Sequence, residues 1–190
     1  MLDDSVDTTK TRKFICPLDV ETTGLDPEIH QITELCFVRM SFVPGTDWFS
    51  TLKEEARVCH KTLLRPGTFV DPTVASINKY DPEVWAKEAI HLADALSQAL
   101  PLLRDAYPIA SKPQFDMGFI AKAVKDLCWQ MPRMAGHHPI DITSAFVRLY
   151  FEGKIDRIGQ DYVTRLLFNK TADHLAEPDV DDMIKLMSHV

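Results

Sequence analysis

Asp19 and Glu21 stand two residues apart at the end of a short apolar run, Phe14-Ile15-Cys16-Pro17-Leu18. Alternate residues of a strand point to one face, so both carboxylates project together. Two bare carboxylates that close repel, and one takes up a proton unless a cation lies between them. Hard oxygen ligands select a divalent ion such as Mg²⁺ or Mn²⁺. Two solvated acids at a strand end explain the spacing equally well. The turn that follows, Thr22-Thr23-Gly24-Leu25, favours the metal, because it sets backbone N–H groups and hydroxyls beside the acids, as a phosphate or sugar terminus requires.

Two further groups have the same double reading. Asp116 follows Phe115 at the start of a helical stretch, where an acid can simply complement the helix dipole. It becomes functional only if the strand ending near Ser111 lies beside the first one, since ligand sites in α/β sheets gather at such ends. In His174-Leu175-Ala176-Glu177-Pro178-Asp179, Pro178 suits the first turn of a final helix. That places Asp179 in the same turn and His174 in the loop before it. They are a dipole-favoured acid and a surface histidine, or a metal ligand and a base beside it.

The elements that must position these residues follow from periodicity. Short apolar runs predict strands over Lys13 to Val20, Ile32 to Val43, somewhere between Trp48 and Leu64, over Tyr107 to Ser111, and over Pro139 to Ile142. Pro17 counts against the first, since it donates no ladder hydrogen bond. Trp85, Ala89, Leu92, Ala93, Leu96, Leu100 and Leu103 recur at helical spacing and predict one long helical stretch. Further helices are expected over Phe115 to Trp129, Ser144 to Tyr150, Gln160 to Phe168 and Pro178 to His189. Strands first, then helix and strand in alternation, predict an α/β fold: a mixed five-stranded sheet with an antiparallel meander at one edge and helices on both faces.

The 190 residues suffice for one ordinary domain, read as 13–190 behind a flexible leader, 1–12. A hydrophobic fraction of 45% and a charged fraction of 26% exclude collagen-like, mucin-like and broadly disordered chains. Lys and Arg total 21 against 28 Asp and Glu, a formal charge of −7 that suits neither a coat for long duplex DNA nor an anionic membrane surface. No C-x-x-C pair joins Cys16, Cys36, Cys59 and Cys128, so free thiols, no disulfide framework and a reducing compartment are expected. Without a signal peptide or membrane span, the expected location is the cytoplasm.

Together the three acidic blocks resemble the DnaQ-like (DEDDh) 3′→5′ exonucleases, which have a ribonuclease-H-like, three-layer fold. Asp19 to Leu25 is similar to the family's D-x-E-T-T-G-L motif without a gap. Phe115-Asp116-Met117-Gly118-Phe119-Ile120 is similar to F-D-x-x-F-[LI], and His174 to Asp179 to H-x-A-x-x-D. The resemblance runs from Lys13 to the end. A histidine five residues before the last acid, with Leu175 rather than Tyr four before it, points to the histidine branch. One departure is clear: Ser111-Lys112 stands where the family commonly has His-Asn, so Lys112 either pairs with a phosphate or is solvated.

The resemblance implies that Asp19, Glu21, Asp116 and Asp179 hold two divalent metal ions, Mg²⁺ or Mn²⁺, with His174 accepting the proton of the attacking water. Thr22, Thr23 and Leu25 would hold the terminal nucleotide, with Leu25 and Phe115 against its base. The implied activity removes nucleoside 5′-monophosphates from the 3′ ends of single-stranded DNA or RNA. Two ions would offset four of the seven excess negative charges, so the acidic balance does not exclude a nucleic-acid substrate. Two other readings remain. One is a catalytically silent module that binds nucleic-acid ends or a protein, which would not need all four acids and the histidine. The other is a proofreading subunit with a polymerase partner, for which little chain follows the last motif. Nothing in the sequence indicates a homo-oligomer.

Overall fold

The run carrying the first two acids forms β1 (Lys13–Thr22), which occupies the middle of a five-stranded sheet. The computed structural model describes residues 11–45, 47–171 and 173–189, so residues 1–10 of the expected leader lie outside the described part. β2 (Ile32–Phe42) and β3 (Lys53–Lys61) pair antiparallel toward one edge. β4 (Tyr107–Ala110) and β5 (Ile140–Asp141) pair parallel on the other side, giving the order β3-β2-β1-β4-β5. This is the mixed sheet with an edge meander that the order of segments predicted.

Both faces of the sheet are covered, which is why β1 and β2 read as near-continuous apolar runs. Cys16, Leu18, Val20, Leu35 and Phe37 pack on one face against α3 (Leu92–Ala99) and α4 (Pro113–Asp126). Ile15, Cys36, Val38 and Met40 pack on the other against α6 (Gln160–Phe168) and α7 (Ala176–Leu186). In α7, Ala176, Val180, Met183 and Leu186 repeat at helical spacing and form its buried side. Pro17 is accommodated in this central strand. The ladder to β2 passes from Ile15↔Met40 to Leu18↔Phe37 in unchanged register, and no pair forms at Cys16 or Pro17.

The helical stretch expected over 85–103 is divided. α2 (Pro82–Glu88) ends early, α3 begins at Leu92, and a 3₁₀ turn follows over Leu100–Leu103. The break has a tertiary cause: the Ile90 N–H donates to Lys61 O and Ile90 O accepts from Leu63 N–H, so the chain there runs extended against the end of β3. A six-residue helix, α1 (Pro72–Ile77), was not predicted. Its signal was present in Asp71-Pro72, an N-cap acid whose carboxylate accepts from the Thr73 and Val74 N–H groups, followed by proline at the first helical position. α5 (Val147–Phe151) follows a 3₁₀ turn.

The cysteine expectation is corrected. Cys36 and Cys59 face each other across β2 and β3, with Cα atoms 4.1 Å apart, and are joined as a disulfide. They are 23 residues apart, and only the strand register brings them together. Cysteine spacing therefore gives no ground for a reducing compartment. Cys16 is free and buried, and Cys128 is free and exposed. Among the described residues no helix is long and apolar enough to cross a membrane.

Candidate active site

Asp19 and Glu21 leave β1 on the face covered by α7, opposite Leu18 and Val20. A register shift between Glu21 and Thr22 ends the regular ladder there, a common device for aiming side chains at a strand terminus. Asp179 comes down from the first turn of α7. Asp19, Glu21 and Asp179 offer carboxylate oxygens that all lie within 4.8 Å of one another. Asp116 reaches the same place from the other face, because α4 starts just beyond the end of β4. β4 pairs with β1 only as far as Pro17↔Ile109, and past that point Asp116 Oδ1 accepts the Val20 N–H at 3.1 Å. Asp116 is buried and stands outside the close group of three, with one oxygen committed to that hydrogen bond.

A cavity of about 350 Å³ opens over these acids. Asp19, Glu21, Thr22, Leu25, Lys112, Phe115, Asp116, His174 and Asp179 all line it. Thr23 does not. It is fully buried, its hydroxyl accepts the Gln31 N–H and meets His30 Nδ1, and its N–H donates to Gln31 O. The Thr22 hydroxyl donates to Gly24 O at 2.6 Å. Both hydroxyls therefore hydrogen-bond within the turn, and of the two threonines only Thr22 reaches the cavity wall. Gly24 is needed because the His30 ring lies where its Cβ would be. Leu25, by contrast, is 79% exposed at the mouth of the cavity.

Burial, reinforced by the charges of Asp116, Glu21 and Asp179, holds the Asp19 carboxyl well above the usual carboxylate range. Burial, then Asp179, Glu34 and Asp116, pushes Glu21 up to about 8. Burial raises Asp116 to about 7 against the opposing Val20 N–H, and Asp179 to about 6 against the charge of His174. None of the four acids forms an ion pair with a lysine or arginine among the described residues. Four acids from three elements that cannot all ionise by themselves suit divalent cations held by oxygen.

Sequence reading missed the residues that hold this frame. Asn78, at the end of α1, is buried and donates from Nδ2 to Thr22 O at 3.0 Å. Gln160, at the start of α6, donates from Nε2 to Asp179 O at 2.9 Å. The Asn78 Oδ1 and Gln160 Oε1 atoms are buried without a partner among the described residues, and both side chains line the cavity. Glu34, opposite Glu21 in the register, accepts the Ala176 N–H at 3.1 Å and so meets the start of α7. No spacing rule singles out an amide or an acid that acts through a backbone group so far away. His174 lines the cavity with φ of 51°, a left-handed conformation uncommon outside glycine.

No protein-family model and no curated protein matches this sequence. Solved structures do match in shape. The nuclease domain of 3′hExo, a DEDDh family member bound to rAMP, superposes with a TM-score of 0.70 at 14% identity, over 97% of this chain and 93% of that domain. E. coli exonuclease I in a complex with single-stranded DNA gives 0.76 at 12% identity, over 93% of this chain. Cell-death related nuclease 4 gives 0.70 at 12% identity, again over 93% of this chain. The chain spans 40% of the exonuclease I chain and 63% of the cell-death related nuclease. Likeness at this level of identity establishes architecture alone: this chain shares the fold of these solved structures, a ribonuclease-H-like α/β arrangement around a mixed five-stranded sheet.

Proposed function

We propose that the chain is a metal-dependent 3′→5′ exonuclease of the histidine (DEDDh) type, which removes nucleoside 5′-monophosphates from single-stranded DNA or RNA ends. The observation that carries this reading is the convergence of Asp19, Glu21, Asp116 and Asp179 in one open cavity, with raised carboxyls and no ion pair to a lysine or arginine among the described residues. Those four side chains would hold two divalent ions, Mg²⁺ or Mn²⁺. When bound, the ions supply Lewis-acid activation and positive charge for a phosphoryl transition state.

The chain's own residues do the remainder. His174, at the rim, accepts a proton from the water that attacks the terminal phosphodiester, and the P–O3′ bond breaks. Leu25, exposed at the mouth, and Phe115, packed on Phe119 at 5.0 Å between ring centroids, flank the space for the terminal base. Such apolar contacts tolerate any base. Lys112 at the start of α4 lines the same cavity and provides a cation for a phosphate oxygen. That neighbours of the same fold are nucleases, one bound to rAMP and one to single-stranded DNA, supports the substrate class.

Incubating 5′-labelled single-stranded DNA and RNA with Mg²⁺ or Mn²⁺, with and without chelator, tests the reading. A descending ladder that chelator abolishes is expected, and the faster substrate gives the preference. No shortening in either metal would favour a silent binding module. A labelled mononucleotide as the first product would reverse the polarity.

A further inference from the structure

Beside the acidic cavity lies a second cleft of about 280 Å³, lined by Arg157, Asp161, Tyr162, Arg165, Thr171 and His174. Asp161 and His174 line both, so the two spaces adjoin at the histidine. The guanidinium carbons of Arg157 and Arg165 each lie 5.7 Å from the centre of the Tyr162 ring. That is within cation–π range, and it holds two like charges around one ring. The Tyr162 hydroxyl donates to Asp156 Oδ2 at 3.3 Å. Neither arginine forms an ion pair with an acid among the described residues, Asp161 included. Both arginines are exposed and lie next to each other around one ring at the edge of the acidic cavity. Unneutralised arginines held by a ring present hydrogen-bond forks suited to phosphate oxygens, with part of their conformational freedom already removed.

We propose that Arg157, Tyr162 and Arg165 form a phosphate-binding platform for the strand on the 5′ side of the scissile bond. The proposal rests on the nuclease reading, which puts the terminal nucleotide between Leu25 and Phe115 and the reacting phosphate near His174. The strand then leaves the acidic cavity past His174 and sets its next phosphates on the two guanidinium groups. The platform extends the site by one or two phosphates only.

The test compares the unmodified protein with Arg157→Gln/Arg165→Gln and with Arg157→Lys/Arg165→Lys. Binding of a 5′-fluorescein-labelled single strand of about ten nucleotides, a length in the range of known single-strand sites, is followed by anisotropy in Ca²⁺ over a salt series. The glutamine pair should bind about tenfold more weakly, since charge-assisted bonds to phosphate are lost. Its plot of log affinity against log salt should be shallower by about 1.4, the value for two single-strand phosphate contacts. The lysine pair should recover most of the salt slope, and the weakening should be smaller on a dinucleotide than on the longer strand. Unchanged affinity and slope in the glutamine pair, equal weakening at both lengths, or no binding by the unmodified protein would each overturn the platform. Hydrolysis in Mg²⁺ and Mn²⁺ is scored separately. Its absence sinks the nuclease reading, while the binding series still decides whether the arginines hold phosphate.

Discussion

The Glu21 carboxyl is half-buried and set beside Asp179, Glu34 and Asp116, so its neutral form persists up to about pH 8. Glutamine keeps the shape without the charge. Glu21→Gln should therefore raise the melting temperature of the metal-free protein near pH 8, where roughly 2–4 °C corresponds to 1 kcal/mol for a chain of this size. The same change should cut turnover on oligonucleotides by at least about 10³-fold, if the carboxylate holds an ion. Calorimetry and a ladder assay on one preparation check both, and a lowered melting temperature would contradict the charge conflict. His174 presents a different conflict, a left-handed backbone under a side chain placed at the cavity. His174→Gly should gain stability of about 1 kcal/mol in urea unfolding by relieving that conformation. It should lose about 10²–10⁴-fold in turnover for want of the base, with metal binding by titration calorimetry less affected. His174→Ala should lose the turnover without the gain.

At the scale of elements, α7 brings Asp179 to the site, and its position depends on groups from distant segments. Glu34 on β2 accepts its first N–H, Gln160 on α6 donates to Asp179 O, and Arg57 on β3 pairs with Glu177 and Asp181. Removing the Glu34 carboxyl leaves the Ala176 N–H without that acceptor and loosens the start of the helix. Glu34→Ala should cost about 1–2 kcal/mol in urea unfolding. Glu34→Gln, which keeps an acceptor oxygen, should cost less. If the two variants are equally destabilised, the hydrogen bond is not what Glu34 contributes. The β2–β3 pair makes a prediction about thiols. With Cys36 and Cys59 joined and Cys16 buried, native oxidised protein should label rapidly at Cys128 alone. Mass spectrometry after alkylation, with and without reductant, reads this directly.

Across the whole molecule, the buried acids set how stability varies with pH. Their folded pKa values are raised, so their contribution is fully present below the unfolded values near 4 and is lost as pH climbs through the folded ones. For Asp179, Asp116 and Glu21 those lie at about 6, 7 and 8. The metal-free protein should melt at progressively lower temperature between about pH 4 and pH 8, from the unfolded values to the highest folded one. Mg²⁺ or Mn²⁺ should restore more at the upper end than at the lower, because an ion binds the ionised carboxylates. Melting curves in chelator and in added metal across that window check the expectation, and a flat chelator series would refute it.

How much of this was legible in the chain depends on the range over which each feature is decided. Asp19 and Glu21 share a face because strand geometry has a period of two, and Asp179 falls in a first turn because Pro178 suits one. Those are local facts, and the sequence by itself determined them, along with the alternation of elements that dictates a mixed α/β sheet. The break at Ile90, the Cys36–Cys59 pair and the inward turn of the Thr23 hydroxyl depend on partners dozens of residues away or on a loop folded back on itself. The same holds for Asp116. Its place at the helix start could be read locally, but its reach to the Val20 N–H, across 96 residues, exists only because β4 is too short to cover that part of β1. Tertiary structure decided which acids share a cavity, because only the sheet's register and the helices packed on its two faces set distances between segments that the chain itself leaves free.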